Sequence, residues 1–199
     1  MNKVAGLLFF IAGSLILMGI ITAEIFFTAN YSISLDMIST LGSSPPPDSI
    51  VREPSAAIFD SSMIISGLLI ILGSYFLLKT HKNKYLGFVI FFLGLGALGV
   101  GVFPAFHPVA HPIVALIAFL SGGLAAVISF KVTKKPFSYI CLILGIIILV
   151  FLTLGVLFSD LVVPVLGRGG TERWVAYPTI VWLLGFGSFL MARDKIVSS

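Results

Sequence analysis

The chain has 199 residues, of which 58% are hydrophobic and 10% are charged, and its mean hydropathy is +1.15. Soluble domains carry about 25% charged residues, so this composition excludes an ordinary soluble protein and predicts one embedded in a membrane. The formal net charge of +4 does not indicate nucleic-acid binding, because the lysines are spread over several short loops and form no single basic patch.

Six hydrophobic stretches are long enough to cross a hydrocarbon core, which takes about 20 helical residues. We predict an all-α integral membrane fold, a six-transmembrane-helix bundle forming a single domain over residues 1–199, because lipid cannot satisfy open backbone groups. The first stretch is longer than the core of a signal peptide, so we expect it to be retained. The expected helices are about Val4–Thr28, Ala57–Lys79, Tyr85–Phe106, Pro112–Val132, Ser138–Phe158 and Trp174–Ala192.

Lysine and arginine are distributed unequally over the predicted loops. One side carries Lys3, Lys79, Lys82, Lys84, Lys131, Lys134, Lys135, Arg193 and Lys195. The other side carries only Arg52, Arg168 and Arg173. Because cytoplasmic loops of membrane proteins are enriched in basic residues, we predict a multi-pass protein of the plasma membrane whose N- and C-termini are both cytoplasmic.

The first extracytoplasmic loop contains an amphipathic pattern, YSISLDMISTLG, before the proline-rich SSPPPDS. Apolar residues recur at helical spacing at Tyr31, Leu35, Ile38 and Leu41. Asp36 and Ser39 fall on the opposite face, and Gly42 is a suitable C-terminal stop. The pattern predicts a short amphipathic helix in this loop, lying on the outer leaflet.

Small residues are concentrated in the third and fourth predicted spans. The third contains GLGALGVG, with glycines at 94, 96, 99 and 101, and the fourth contains SGGLAAV. Small side chains allow helix backbones to approach closely in lipid, where packing drives helix association. We therefore expect these stretches to form tight helix contacts.

Several motifs together resemble the multi-pass membrane family catalogued as domain of unknown function 998. They are, in chain order, YSISLDMISTLG with AIFDSSMIISGLLIILGSYF, then GVFPAFHPVAHPIVALIAFLSGGLAAV, and finally GGTERWVAYPTIVWLLGFGSFLM. The resemblance covers nearly the whole chain and implies the six-helix topology, but it implies no activity. This chain departs from the family pattern at Asp60, where an uncharged polar residue such as asparagine is expected.

Most acidic side chains, and two of the three histidines, fall toward the predicted outer side. Charged groups within a span cost roughly 2.5–3.5 kcal/mol each, so they usually face the bundle interior with a partner. We therefore predict a polar pocket at the outer mouth of the bundle. Its candidate residues are Glu24, Asp36, Ser39, Asp60, His107, His111, Glu172, Arg173 and Tyr177.

The sequence leaves several uses of this pocket open. In a structural role, His107 would cap the fourth helix with Pro108 at its first position, and His111 would pair with Asp60 or Glu24. In a binding role, the pocket would take a membrane lipid or a small solute, with the Glu172–Arg173 pair recognising a headgroup. The protein could also be an accessory subunit of a membrane complex or a homo-oligomer.

The catalytic alternative is a metal-dependent hydrolase that acts on lipid. His107 and His111 are four residues apart, and Asp60 could supply a third ligand for zinc, leaving one position open for an activated water. Pro108 and Pro112 argue against clean helical alignment of the two imidazoles. Cys141 is the only cysteine, so it provides no cysteine-based metal site and is expected to be apolar packing. No other cofactor is expected.

Overall fold

The computed structural model describes residues 2–80 and 84–192, and all regular structure in these ranges is helical. The predicted basic residues Lys82, Arg193 and Lys195 lie outside the described residues. The helices are α1 (Asn2–Ile25), α2 (Ser55–Lys79), α3 (Lys84–Val102), α4 (Ala110–Ser129), α5 (Phe137–Leu157) and α6 (Ser159–Ala192). Each of the six is long and apolar enough to cross a membrane. The predicted fold class, an all-α membrane bundle, is therefore confirmed.

The helices form a closed ring, in which each one packs beside its neighbour in the chain and α6 returns to α1. Stacked aromatic side chains hold α1 and α6 together and so close this ring of helices. The ring centroid of Phe9 in α1 lies 6.2 Å from that of Phe186 in α6, and the centroid of Trp182 lies 5.5 Å from that of Phe186. These three side chains are almost fully buried. In contrast, α5 exposes much of its surface and packs at the periphery, between α4 and α6.

The glycines of α3 form close contacts with two neighbouring helices, α2 and α4. Gly94 approaches α2, where a Cβ atom would lie 2.8 Å from Ile71 Cγ1. Gly96 and Gly99 approach α4, where the corresponding atoms would lie 2.6 Å from Ala118 Cα and 2.7 Å from Val114 Cβ. The expectation of tight contacts is confirmed, since a side chain at these positions would separate the helices. The two glycines of SGGLAAV face α5 and α6 instead.

The sixth helix begins much earlier than the predicted start at Trp174. The stretch from Ser159 is already helical, although it contains Pro164 and several glycines that favour a loop. The helix is interrupted at Gly167, whose φ of 75° is easily adopted only by glycine. Glycine is also needed here because the first long loop lies close to the break. A Cβ on Gly167 would clash with the carbonyl of Ser34.

The first long loop does not form the predicted helix on the outer leaflet. Its helical part is a 3-10 helix, Ile38–Leu41, in which Ile38, Ser39 and Leu41 are all buried. Leu35 is 69% exposed, so it does not share the buried face that the periodicity predicted. The loop therefore folds into the end of the bundle. We call this end, which bears residues 26–54, the loop end.

Candidate functional site

Arg173 of α6 holds the first long loop onto the bundle. Its Nη1 donates to the backbone carbonyls of Ile33 (2.8 Å) and Asp36 (2.9 Å), and to Gly169 within its own helix (3.1 Å). Its Nη2 donates to Glu24 Oε1 of α1, also at 2.9 Å. The guanidinium is buried, so these bonds form where water cannot replace them. One side chain thus joins α1, the loop and α6.

Tyr31 completes this network. Its hydroxyl accepts a hydrogen bond from Arg173 Nη2 at 2.7 Å and donates one to the carbonyl of Met37 at 3.0 Å. Burial raises the pKa of Tyr31, and the Arg173 guanidinium only partly opposes this, so the phenol stays neutral. The Arg173–Glu24 pair is therefore a structural ion pair with its remaining donors and acceptors largely satisfied by the loop.

Glu172 points in a different direction from Arg173, the next residue in the chain. Its carboxylate accepts hydrogen bonds from the backbone N–H groups of Ile38 and Ser39, at the start of the 3-10 helix. Helix N-termini favour negative charge because their first N–H groups have no partner within the helix. Glu172 also lines the interior cavity described below. Unlike Glu24, it has no basic side chain within ion-pair distance among residues 2–80 and 84–192.

The two histidines of the α3–α4 turn are held by aromatic and backbone contacts. His111 is buried, and its Nδ1 lies 2.7 Å from the carbonyl oxygen of Phe103. His107 packs against the Phe106 ring at 4.3 Å. The predicted capping role of His107 is wrong, because α4 begins at Ala110 and its N-cap residue is Val109. The bonded partner of His111 is a backbone carbonyl, not the predicted Asp60 or Glu24.

The remaining predicted residues lie apart from one another. Asp36 Oδ2 accepts the N–H of Ser32 at 2.7 Å and closes a local turn. Asp60 lies beside the loop at Gly42, and its buried Oδ1 has no hydrogen-bond partner in the structure. Tyr177 lines a shallow groove on the outside of α5 and α6, together with Trp174. These three therefore surround the loop end without converging on one point.

An apolar cavity of about 70 Å³ lies inside the ring. Side chains from α1, α2, α3, α4 and α6 line it, and the 3-10 helix covers it at the loop end. Its few polar walls are Ser39, His111, Glu172 and Thr179. The apolar walls include Ile16, Ile20, Phe59, Met63, Ile70, Leu93, Ala97, Val100, Ala115, Ala118, Phe119, Ala176, Ile180 and Leu183.

A wider groove of about 470 Å³ adjoins this cavity between α4, α5 and α6. Both spaces share five lining residues, which we call the neck: Ser39, His111, Ala115, Phe119 and Glu172. Beyond the neck the groove is lined by apolar side chains of α5, such as Phe151 and Leu152, and by Arg168 of α6. The groove reaches the side of the bundle, because two of its lining residues, Leu116 and Val156, are exposed there.

Sequence reasoning found Ser39, His111 and Glu172 but missed Arg168, Ala115 and Phe119. The glycines around Arg168 favour a loop, and only the early start of α6 places this residue one helical turn before Glu172. The small side chain of Ala115 becomes informative only when the neighbouring helices are known. No pattern in the sequence distinguishes it from other alanines in a span.

The described part of the chain contains no group of three or more His, Cys, Asp or Glu side chains that could hold a metal ion. His107, His111 and Asp60 therefore receive no support as a zinc site from their positions. Metal-dependent hydrolysis stays a prediction from the sequence, as do homo-oligomer formation and a role as an accessory subunit.

The family comparison covers most of the chain. The model of the family described as "Protein of unknown function (DUF998)" matches residues 11–188, a range that contains the neck, the Arg173 network and parts of all six helices. Comparison with curated proteins gave no match. Comparison with solved structures gave none either. The resemblance inferred from the loop and helix motifs is confirmed, and the chain belongs to the DUF998 family of multi-pass membrane proteins.

Proposed function

We propose that this protein binds a membrane lipid, with the polar headgroup at the neck and an alkyl chain in the groove that leads from the neck to the side of the bundle. The observation that supports this most directly is the pairing of a largely apolar groove with a neck that carries Glu172, His111 and Ser39. An amphiphile has the same division into polar and apolar parts. Ligand pockets are typically apolar with a few placed polar groups.

The direction of access favours a lipid over a solute from water. At the loop end, the buried residues Ile38 and Ser39 cover the cavity, and Arg173 holds the surrounding loop against α6. The groove between α4, α5 and α6 opens instead on the side of the bundle, where most of the surrounding side chains are apolar. A ligand that reaches the neck by this route comes from the bilayer.

The neck must supply most of the selectivity. An alkyl chain gains little by moving from the bilayer into an apolar groove, because both surroundings are apolar. Polar contacts differ, since a carboxylate in a region of low dielectric interacts strongly with a complementary group. We therefore expect substitutions that block or alter the neck to affect binding more than substitutions on the lipid-facing surface.

Filling the neck tests this proposal. Ala115→Phe places a bulky ring between the cavity and the groove, and we expect it to lower the amount of co-purifying lipid at least tenfold. Leu120→Phe is the matched control, because it adds a ring to the same helix at an exposed position. The measurement is quantitative lipid mass spectrometry of protein purified in mild detergent. Equal lipid content in the wild type and in both correctly folded variants would show that the neck and groove hold no lipid.

We also propose that the loop end faces the outside of the plasma membrane. The basic residues Lys79, Lys84, Lys131, Lys134 and Lys135 lie at or near the opposite helix ends, which the positive-inside rule places in the cytoplasm. The neck would then recognise a lipid of the outer leaflet.

Single cysteines test this orientation in intact cells. In a Cys141→Ser background, we expect Ser49→Cys, in the exposed part of the loop, to react with a membrane-impermeant maleimide. Lys134→Cys should react only after the cells are opened. The reverse labelling pattern would place the neck in the cytoplasmic half of the bilayer.

A further inference from the structure

We propose that the bound lipid is a zwitterionic phospholipid with a primary ammonium group, of the phosphatidylethanolamine type. In this arrangement the neck binds the ammonium group, and Arg168 binds the phosphate. The inference rests on the proposed lipid-binding function and specifies the headgroup. It differs from a headgroup site at Arg173, since the donors on both terminal nitrogens of that side chain are used by the loop and by Glu24.

The polar groups of the neck are mainly hydrogen-bond acceptors. The Phe103 carbonyl can only accept, so His111 Nδ1 carries a proton in this bond, and Nε2 of the neutral ring is an acceptor. Glu172 adds a carboxylate with about four acceptor sites, of which the N–H groups of Ile38 and Ser39 use two. The Ser39 hydroxyl is bonded to no group in the described ranges and can accept as well. A primary ammonium has three N–H donors and a positive charge, which matches this set.

The charge of Glu172 points to the same ligand. Arg173 forms its ion pair with Glu24 at 2.9 Å, so that pair is neutral and leaves the Glu172 carboxylate without a counter-ion among the described residues. A carboxylate in apolar surroundings takes up a proton unless it is paired or well hydrogen-bonded. A cationic headgroup would supply the missing partner from the bilayer.

Arg168 is placed to bind the phosphate of the same headgroup. It is exposed, lines the groove outside the neck, and forms no ion pair within residues 2–80 and 84–192. Because it precedes Glu172 by four residues in the helical stretch after Gly167, the two positions share a face and lie roughly 6 Å apart along the axis. Only two methylene groups separate the nitrogen of ethanolamine from its phosphate ester oxygen, so one headgroup can span this distance. Arginine binds phosphate through paired donors.

Two other lipid classes fit less well. A choline headgroup has the same charges, but its nitrogen has no N–H to donate to Glu172, His111 or Ser39. An anionic glycerol headgroup could bind Arg168, but it would leave the Glu172 carboxylate unpaired. The proposal therefore predicts a clear order of affinity, with ethanolamine above choline and above glycerol.

The test uses the full-length protein, delipidated in detergent, with phosphatidylethanolamine, phosphatidylcholine or phosphatidylglycerol of identical acyl chains added separately. Native mass spectrometry measures how much of each lipid stays bound. We expect the ethanolamine lipid to bind about tenfold more tightly than the choline lipid, since charge-assisted hydrogen bonds distinguish them. Equal retention of the ethanolamine and choline lipids by the wild type would overturn the headgroup assignment.

Two variants separate the roles of the charges. Glu172→Gln keeps an acceptor for the Ile38 N–H but removes the charge, so it should abolish the preference for ethanolamine. Arg168→Gln lies at an exposed position and should fold normally, and we expect it to weaken both zwitterionic lipids about equally. A preference that persists in Glu172→Gln, or unchanged binding in Arg168→Gln, would contradict the assignment.

The same assay distinguishes this inference from the proposed function. If Ala115→Phe removes all bound lipid while ethanolamine and choline lipids bind the wild type equally, the neck and groove bind lipid but the headgroup assignment is wrong. If Ala115→Phe retains every lipid as well as the wild type does, the lipids bind on the outer surface and both proposals fail.

Discussion

Replacing Arg173 with alanine is expected to lower the free energy of unfolding by about 3–5 kcal/mol, the usual cost of removing one partner from a buried ion pair. The change leaves the Glu24 carboxylate inside the bundle without its partner at 2.9 Å. It also removes the donors to the carbonyls of Ile33 and Asp36, which hold the first long loop. Unfolding in mixed micelles with increasing SDS measures the effect.

The substitution Arg173→Lys should recover only part of this loss. Lysine keeps the charge, but its ammonium lacks the planar fork with which arginine reaches Glu24 and the loop at the same time. Arg168→Ala is the matched control, since that side chain is exposed and exposed charges contribute little to stability. If Arg173→Ala were as stable as Arg168→Ala, the network would not stabilise the loop end.

Substituting Gly96 with valine is expected to destabilise the bundle by about 1–3 kcal/mol or more, the range for overpacking a close contact. A Cβ at this position falls on the backbone of Ala118, with its Cα only 2.6 Å away. A backbone cannot move aside as the end of a side chain can. The α3–α4 contact must therefore open, which also widens the cavity that Ala97 and Ala118 line.

The matched control for this prediction is Gly155→Ala in α5. Its added Cβ would meet only the Thr171 methyl group, at 3.2 Å, and a small movement of that side chain relieves the contact. We expect the free energy of unfolding of this variant to lie within about 0.5 kcal/mol of the wild-type value, as it usually does for surface substitutions. The same SDS titration compares the two variants. Equal stability of Gly96→Val and Gly155→Ala would mean that α3 and α4 are not in close contact.

The sequence alone was sufficient to predict the class of fold. The long apolar stretches can be satisfied in lipid only as helices, so their lengths gave the six spans without any knowledge of packing. The α3 glycines likewise indicated close contacts, because glycine in a span is useful mainly where another backbone approaches. Such inferences depend on local composition, which the sequence shows directly.

Local patterns were misleading where a distant residue supplies the hydrogen bonds. The segment from Tyr31 to Gly42 has the periodicity of a surface helix, but side chains of Arg173 and Glu172 satisfy its backbone and draw it into the bundle. The stretch before Trp174 looked like a loop, although one glycine at 167 provides the whole break. Neither outcome can be inferred without knowing what lies opposite.

The sequence by itself determined that this chain is a six-helix membrane protein with carboxylates gathered toward one end and lysines toward the other, since hydropathy and charge are properties of each segment alone. Only the tertiary structure decided which acidic side chain forms an ion pair with which basic one. It joined Arg173 to Glu24 and left the adjacent Glu172 facing the cavity, because successive residues on a helix point in directions about 100° apart. Glu24 is paired with an arginine, whereas Glu172 has no ion-pair partner among the described residues. This difference is the basis of the proposed lipid site.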